Sequence, residues 1–135
     1  MDFITIFAAA AAVLGVVLGA GALISPEWAS RFVRLKADPA QPDGYAEFRA
    51  TFGGVFLLLH LAFIAALYLD AGLIGASGVL CAGWAGAAGG RLLSLLLDGA
   101  KRVRTQHNVI SLVVEIIAAI AFALPVVRFV TATAY

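Results

Sequence analysis

Charge is scarce in this sequence. Asp, Glu, Lys and Arg make up 13% of the 135 residues, about half the share found in an average soluble domain. The few charges nearly cancel, to a formal +1, so no basic field points to nucleic acid. Cysteine is almost missing: Cys81 stands alone, which rules out an internal disulfide and any multi-cysteine metal site. Two histidines without clustered carboxylates argue against a metal centre. His60 and His107 fall at different depths, which argues against a bis-histidine haem. No Gly-rich phosphate loop or dinucleotide fingerprint stands in a suitable context. No serine, histidine and acid share a depth, as a catalytic triad requires. No cofactor is expected.

What fills the sequence instead is hydrocarbon. Hydrophobic residues make up 63% of the chain, and the mean hydropathy is +1.02. A soluble domain of this length has too little interior to hide that much apolar side chain. The expectation is an all-α membrane protein, residues 1–135 forming one antiparallel bundle of four transmembrane helices. A crossing needs about 20 mostly apolar residues, and four stretches qualify, at about 3–24, 46–69, 72–97 and 109–127. The first reads as a true span rather than a secretory signal, because Met1-Asp2 lacks a positive n-region and the apolar stretch is too long.

Basic residues set the expected orientation. Arg31, Arg34 and Lys36 lie in the first connection, and Lys101, Arg102 and Arg104 in the third. The second connection has only Asp70, so both termini are expected outside, periplasmic in a bacterial inner membrane. Ser25-Pro26 reads as an N-cap followed by a first-turn proline. Trp28, Phe32 and Leu35 then recur at helical spacing, with Arg31, Arg34 and Lys36 between them. This predicts a short amphipathic helix on the cytoplasmic leaflet, followed by a breaker-rich turn through Pro39, Pro42 and Gly44.

Lipid gives helices no hydrophobic reason to meet, so small residues at contacts matter. Ala11, Gly15 and Gly19 form one ridge, Ala82, Gly86 and Gly90 another, and Gly53-Gly54 opens the second span. All are expected to pack inside the bundle, although the same ridges suit a contact between copies.

Ionisable residues within spans are the functional candidates. Arg91 lies seven residues before Asp98, roughly 10 Å deep, and Glu115 lies eight residues after His107, roughly 12 Å deep. Arg91, Ser94 and Asp98 share one face of the third span. Asn108, Ser111 and Glu115 share one face of the fourth, at the same spacing. Laid antiparallel, these stripes predict contacts of Arg91 with Glu115, Ser94 with Ser111, and Asp98 with His107 or Asn108. Glu47 and Arg49 open the second span. Arg49, Gly53, Phe56 and His60 follow one face there, and Arg49 is placed to reach Asp98. His60 has no partner by depth. The expected site is therefore a ligand-binding or structural polar cluster of Glu47, Arg49, Arg91, Ser94, Asp98, Ser111 and Glu115. It is expected to border a pocket among the second, third and fourth spans.

Two segments, Glu47-Phe-Arg49-Ala-Thr-Phe-Gly53-Gly54 and Gly90-Arg91-Leu-Leu-Ser94 with Asp98-Gly99, together with the late acid Glu115, carry a resemblance. The chain resembles, over nearly its whole length, a bacterial family of small four-helix integral membrane proteins of unknown function. The resemblance implies a fold and a set of characteristic positions, and no activity. Two functions fit the residues. One is a binding or accessory membrane protein, with membrane lipids, further copies or a larger membrane complex as partners. The other is a small proton-coupled transporter, with Glu115 titrating and Arg91 as counter-charge. Four-helix multidrug carriers resemble it in length, but they place their key glutamate in the first helix, which here has no charge. A lipid- or quinone-modifying enzyme ranks below both, because no residue set names a reaction.

Overall fold

A computed structural model describes residues 2–41 and 43–134. Met1 and Pro42, used above in reading the N-terminus and the first turn, lie outside the described residues. The chain is 83% helical with no strand among those residues. Four helices are long and apolar enough to cross a membrane: α1, Phe3–Ile24; α3, Gly44–Tyr68; α4, Leu73–Leu97; and α5, Gln106–Thr133. Between the first two lies the short helix α2, Pro26–Phe32. The chain forms two compact units, Ala9–Ala71 and Met1–Ala8 with Gly72–Tyr135.

In the first unit, α1 and α3 touch through glycine. Gly15 lies against the ring of His60; Gly19 lies against the backbone of Leu57; Gly53 lies against Leu23. A Cβ at Gly19 would come within 2.7 Å of the Leu57 nitrogen, so only glycine lets the backbones meet there. This is the close approach predicted for the first ridge.

The helix α3 is not uniformly α. Phe48–Val55 is a π-helical segment, whose i→i+5 bonding widens the turn. The buried positions follow that wider step. They are Phe48, Gly53, His60 and Phe63, with Arg49 exposed. The expected face of Arg49, Gly53, Phe56 and His60 assumed a constant α period, and the extra residue in the turn moves its start from Arg49 to Phe48.

Helix α2 begins as the sequence predicts. The Ser25 hydroxyl accepts from the Trp28 N–H, and Pro26 occupies the first turn. It ends sooner than the apolar spacing implied. Arg34 takes a left-handed φ of 58°. The Leu35 N–H reaches back to the Ser30 carbonyl and the Arg34 N–H to Arg31, a Schellman closure. Leu35 therefore lies beyond the helix. Pro26, Ala29 and Ser30 face inward, where Ala29 packs with Ala22 and Phe48. Trp28 and Phe32 stack on the outer side, their ring centroids 5.3 Å apart. Gly44 opens α3 rather than extending the turn before it.

In the second unit α4 and α5 pack side by side, joined by a 3₁₀ turn at Gly99–Lys101. Helix α5 runs past the expected end at 127, through Pro125, to Thr133. A proline inside a membrane helix removes a single N–H, a loss that neighbouring structure readily absorbs. The hydroxyls of Thr131 and Thr133 donate to carbonyls in the turns before them and help close the end. The N-terminal residues belong to this unit. Asp2 caps α1 through the Thr5 N–H at 2.9 Å and forms an ion pair with Arg128.

Candidate functional site

The polar centre of the second unit is a clasp between α4 and α5. Arg91 Nε donates to both carboxylate oxygens of Glu115 at 2.9 and 3.0 Å, and Nη2 donates to Oε1 at 2.6 Å. This fork-to-fork pairing is the strongest form such a contact takes. The Glu115 side chain is 9% exposed and the Arg91 side chain 31%. Depth and face, read from sequence spacing alone, had placed these two residues opposite each other.

Farther along the stripes the predicted rungs do not form. Asn108 turns to Arg91 instead of Asp98: its Oδ1 accepts from Arg91 Nη1 at 3.1 Å, and its Nδ2 donates to the Val103 carbonyl at 2.7 Å. Side chains on a helix lean toward its N-terminus. Glu115 therefore leans toward Asn108, and the long Arg91 side chain spans both. The amide of Asn108 ties the clasp to the connection before α5.

Asp98 caps its own neighbourhood. Its carboxylate takes the Lys101 ammonium at 3.0 Å and accepts a hydrogen bond from Ser94. These contacts, with the Lys101 charge, hold its pKa below the ordinary 3.8. Asp98 thus pairs with Lys101, and the expected Ser94–Ser111 and Asp98–His107 hydrogen bonds are not formed among the described residues. Asp98 lies three residues from Lys101, and local pairs of that kind form without any help from a second helix. Arg104 Nε donates to the Leu95 carbonyl at 2.9 Å, compensating the C-terminal end of α4.

Arg91, Ser94, Asn108 and Glu115 are thus gathered with Asp98 at one end of the second unit. Glu47 is exposed at the start of α3. The Arg49 guanidinium, expected near Asp98, donates to the carbonyl of Leu23, the residue before the end of α1. His60, which lacked a partner by depth, finds one on its own helix: Nδ1 lies 2.7 Å from the Phe56 carbonyl. His60 is 1% exposed, and its ring is tilted 48° against that of Phe56 with the centroids 4.4 Å apart.

Beside the clasp is a cavity of about 350 Å³. Gly86, Ala87 and Gly90 of α4 form one wall, and Asn108 and Glu115 of α5 border it, with Arg91 between. The lining residues all belong to α4 and α5 of this unit. Gly86 and Gly90, part of a ridge expected to pack inside the bundle, border the cavity. A Cβ at either position would meet no atom within 4 Å. The Arg91–Glu115 contact joins α4 and α5 beside them, and all four residues line the same cavity.

A guanidinium carries one N–H on Nε and two on each terminal nitrogen. Glu115 takes the Nε–H and one on Nη2; Asn108 takes one on Nη1. One N–H on each terminal nitrogen is left uncommitted among the described residues. Sequence reasoning missed two participants. Asn108 was assigned to the wrong partner, and the Asp2–Arg128 pair was not foreseen, although each is the sole charge near its end of the chain. Compared with protein-family models, with curated proteins and with solved structures, the chain matches none.

Proposed function

We propose that this chain is an integral membrane binding protein, and that the cavity beside Arg91 and Glu115 receives the polar group of a small or lipid-like ligand. The observation that carries the reading is the pair of uncommitted N–H groups on a guanidinium facing about 350 Å³ of space. A purely structural clasp has no need of either. Ligand sites are commonly apolar hollows with a few placed polar groups, and the glycine wall with Arg91, Ser94 and Asn108 has that make-up.

The charge pattern supports an orientation. With Arg31, Arg34, Lys36, Lys101, Arg102 and Arg104 in the cytoplasm, the site lies in the cytoplasmic half of the membrane and both termini are periplasmic. The exposed Trp28–Phe32 pair on α2 suits the lipid interface on that same side. A bacterial inner membrane accommodates all of these features, and further copies or a larger complex are compatible partners.

The test replaces both members of the clasp at once. Arg91→Met with Glu115→Leu removes the donors without leaving a buried charge alone, and such paired apolar replacements are often neutral or stabilising. Membrane lipid extracts are screened against the purified wild type for compounds that raise its thermal midpoint. Saturating ligand at about 100 times its Kd adds roughly 2.7 kcal/mol. The double variant is expected to show no such rise; equal rises in both proteins would refute the site.

A further inference from the structure

We infer that the group received beside Arg91 is a neutral carbonyl oxygen on a lipid-soluble body, and not an anion. This rests on the reading of the cavity as a binding site and adds the chemical class of its occupant.

The argument begins with charge. The Arg91 guanidinium is already matched by the Glu115 carboxylate through contacts of 2.6–3.0 Å. The other two polar residues lining the cavity, Ser94 and Asn108, are neutral. Arg91 is the one cation among the residues lining the cavity; farther out, Lys101 is paired with Asp98, and Arg104, whose Nε donates to the Leu95 carbonyl, keeps its charge outside the lining. An arriving anion would therefore share one guanidinium with Glu115. Two anions on a single cation, in surroundings of low dielectric, disfavour each other's charged form. A carbonyl accepts the same N–H groups and adds no charge.

Geometry points the same way. The uncommitted N–H groups sit on Nη1 and Nη2, so they are donors in search of an acceptor. On the α4 side Gly86, Ala87 and Gly90 carry nothing larger than a methyl group and Leu95 adds an apolar side chain, so a flat or rod-like apolar body can lie against them. The volume exceeds what a proton or a bare ion requires, since a water molecule occupies about 30 Å³. Arg91 also lies roughly 10 Å along α4 from Asp98, a depth that a lipid-soluble molecule reaches from the bilayer itself. Two sources present such a carbonyl: the ester groups of bilayer lipids, and lipid-soluble carbonyl compounds such as quinones.

The experiment uses three probes with ten-carbon chains on the full-length protein in detergent: methyl decanoate, a decyl-tailed benzoquinone, and decanesulfonate, whose charge is permanent. Binding is read from the thermal midpoint across a titration. At least one neutral probe is expected to bind about tenfold or more tighter than the sulfonate. The methyl ester against the quinone tells the two sources apart. Gly86→Leu is the second variant. It leaves the clasp untouched, and the space at Gly86 admits a side chain. It is expected to fold with a midpoint at or above that of the wild type without probe and to lose the response to the neutral probe. Sulfonate binding as tight as the neutral probes, and abolished by Gly86→Leu, overturns the inference and leaves the site standing. Responses that survive both Gly86→Leu and the clasp replacement, or no response to any probe, overturn the inference and the site together.

Discussion

The two units use the same small residue for opposite purposes. In the first, glycine is contact: Gly15, Gly19 and Gly53 sit where any side chain would collide with His60, Leu57 or Leu23. In the second, glycine is space: Gly86 and Gly90 border a cavity, and a Cβ there meets nothing. There α4 and α5 pack side by side, and a fork of charged hydrogen bonds is added to the packing. Membrane helices associate through close packing or through polar contacts, and the second unit joins a polar clasp to its packing. A unit zipped by backbone contact has little room for a guest, whereas a unit clasped at one rung keeps a hollow beside it.

The largest expected effect comes from opening the clasp. Glu115→Leu alone leaves the Arg91 guanidinium without its partner, and breaking a buried pair in this way costs about 3–5 kcal/mol. The loss belongs at the lower end, because the Arg91 side chain is 31% exposed. Arg91→Met alone is expected to be destabilising as well. The double replacement is expected to cost clearly less than the two singles added together. Thermal unfolding of all four proteins measures the coupling, and strictly additive losses would show that the clasp does not hold this unit.

The clasp was legible in the sequence for a physical reason. The α period and the rise per residue fix both depth and face, and Arg91 and Glu115 are long enough to meet from those positions. The four spans and the Ser25-Pro26 start of α2 were legible because membrane thickness and cap chemistry leave few alternatives. The outer rungs were not, because Asp98 has Lys101 and Ser94 within its own turn and needs no second helix. The π segment at Phe48–Val55 was not legible either. A change from i→i+4 to i→i+5 bonding leaves no mark in composition, yet it moves the buried face from Arg49 to Phe48. The two glycine ridges look alike in sequence, and only packing tells contact from space.

The next effect tests contact glycine. Gly19→Ala places a methyl group 2.7–2.8 Å from the Leu57 backbone nitrogen and Cα. Backbone cannot step aside as a flexible side chain can, so α1 and α3 must separate locally. Overpacking of this kind costs about 1–3 kcal/mol, and the thermal midpoint is expected to fall. An unchanged midpoint would remove the distinction between the two units.

A smaller effect concerns the exposed end of the clasped unit. Asp98 has its pKa lowered first by the Lys101 hydrogen bond, then by Ser94 and by the Lys101 charge. A carboxyl with a lowered folded-state pKa contributes stability that is fully present above its ordinary value of 3.8 and fades as pH falls through the lowered value. Asp98→Asn is therefore expected to lower the midpoint slightly at neutral pH and to flatten its decline below about pH 4. A decline of the same shape in both proteins would show that the Asp98 cap contributes nothing to the acid side of the curve.

The smallest effect sharpens the comparison by its sign. Gly90→Ala adds a methyl group that meets no atom within 4 Å, so the steric penalty that dominates at Gly19 is absent. What remains is the helix term. Glycine in a helix interior is less favourable than alanine by about 0.5–1 kcal/mol, because the unfolded chain loses more freedom on ordering. Gly90→Ala is therefore expected to raise the midpoint while Gly19→Ala lowers it, although both exchanges are the same chemical change in the middle of an apolar helix. The added methyl group also narrows the cavity without touching Arg91 or Glu115, so any ligand of that cavity should bind more weakly to the more stable protein. A fall in midpoint at Gly90 would mean that the wall is packed against something, and the second unit would then be a contact surface like the first.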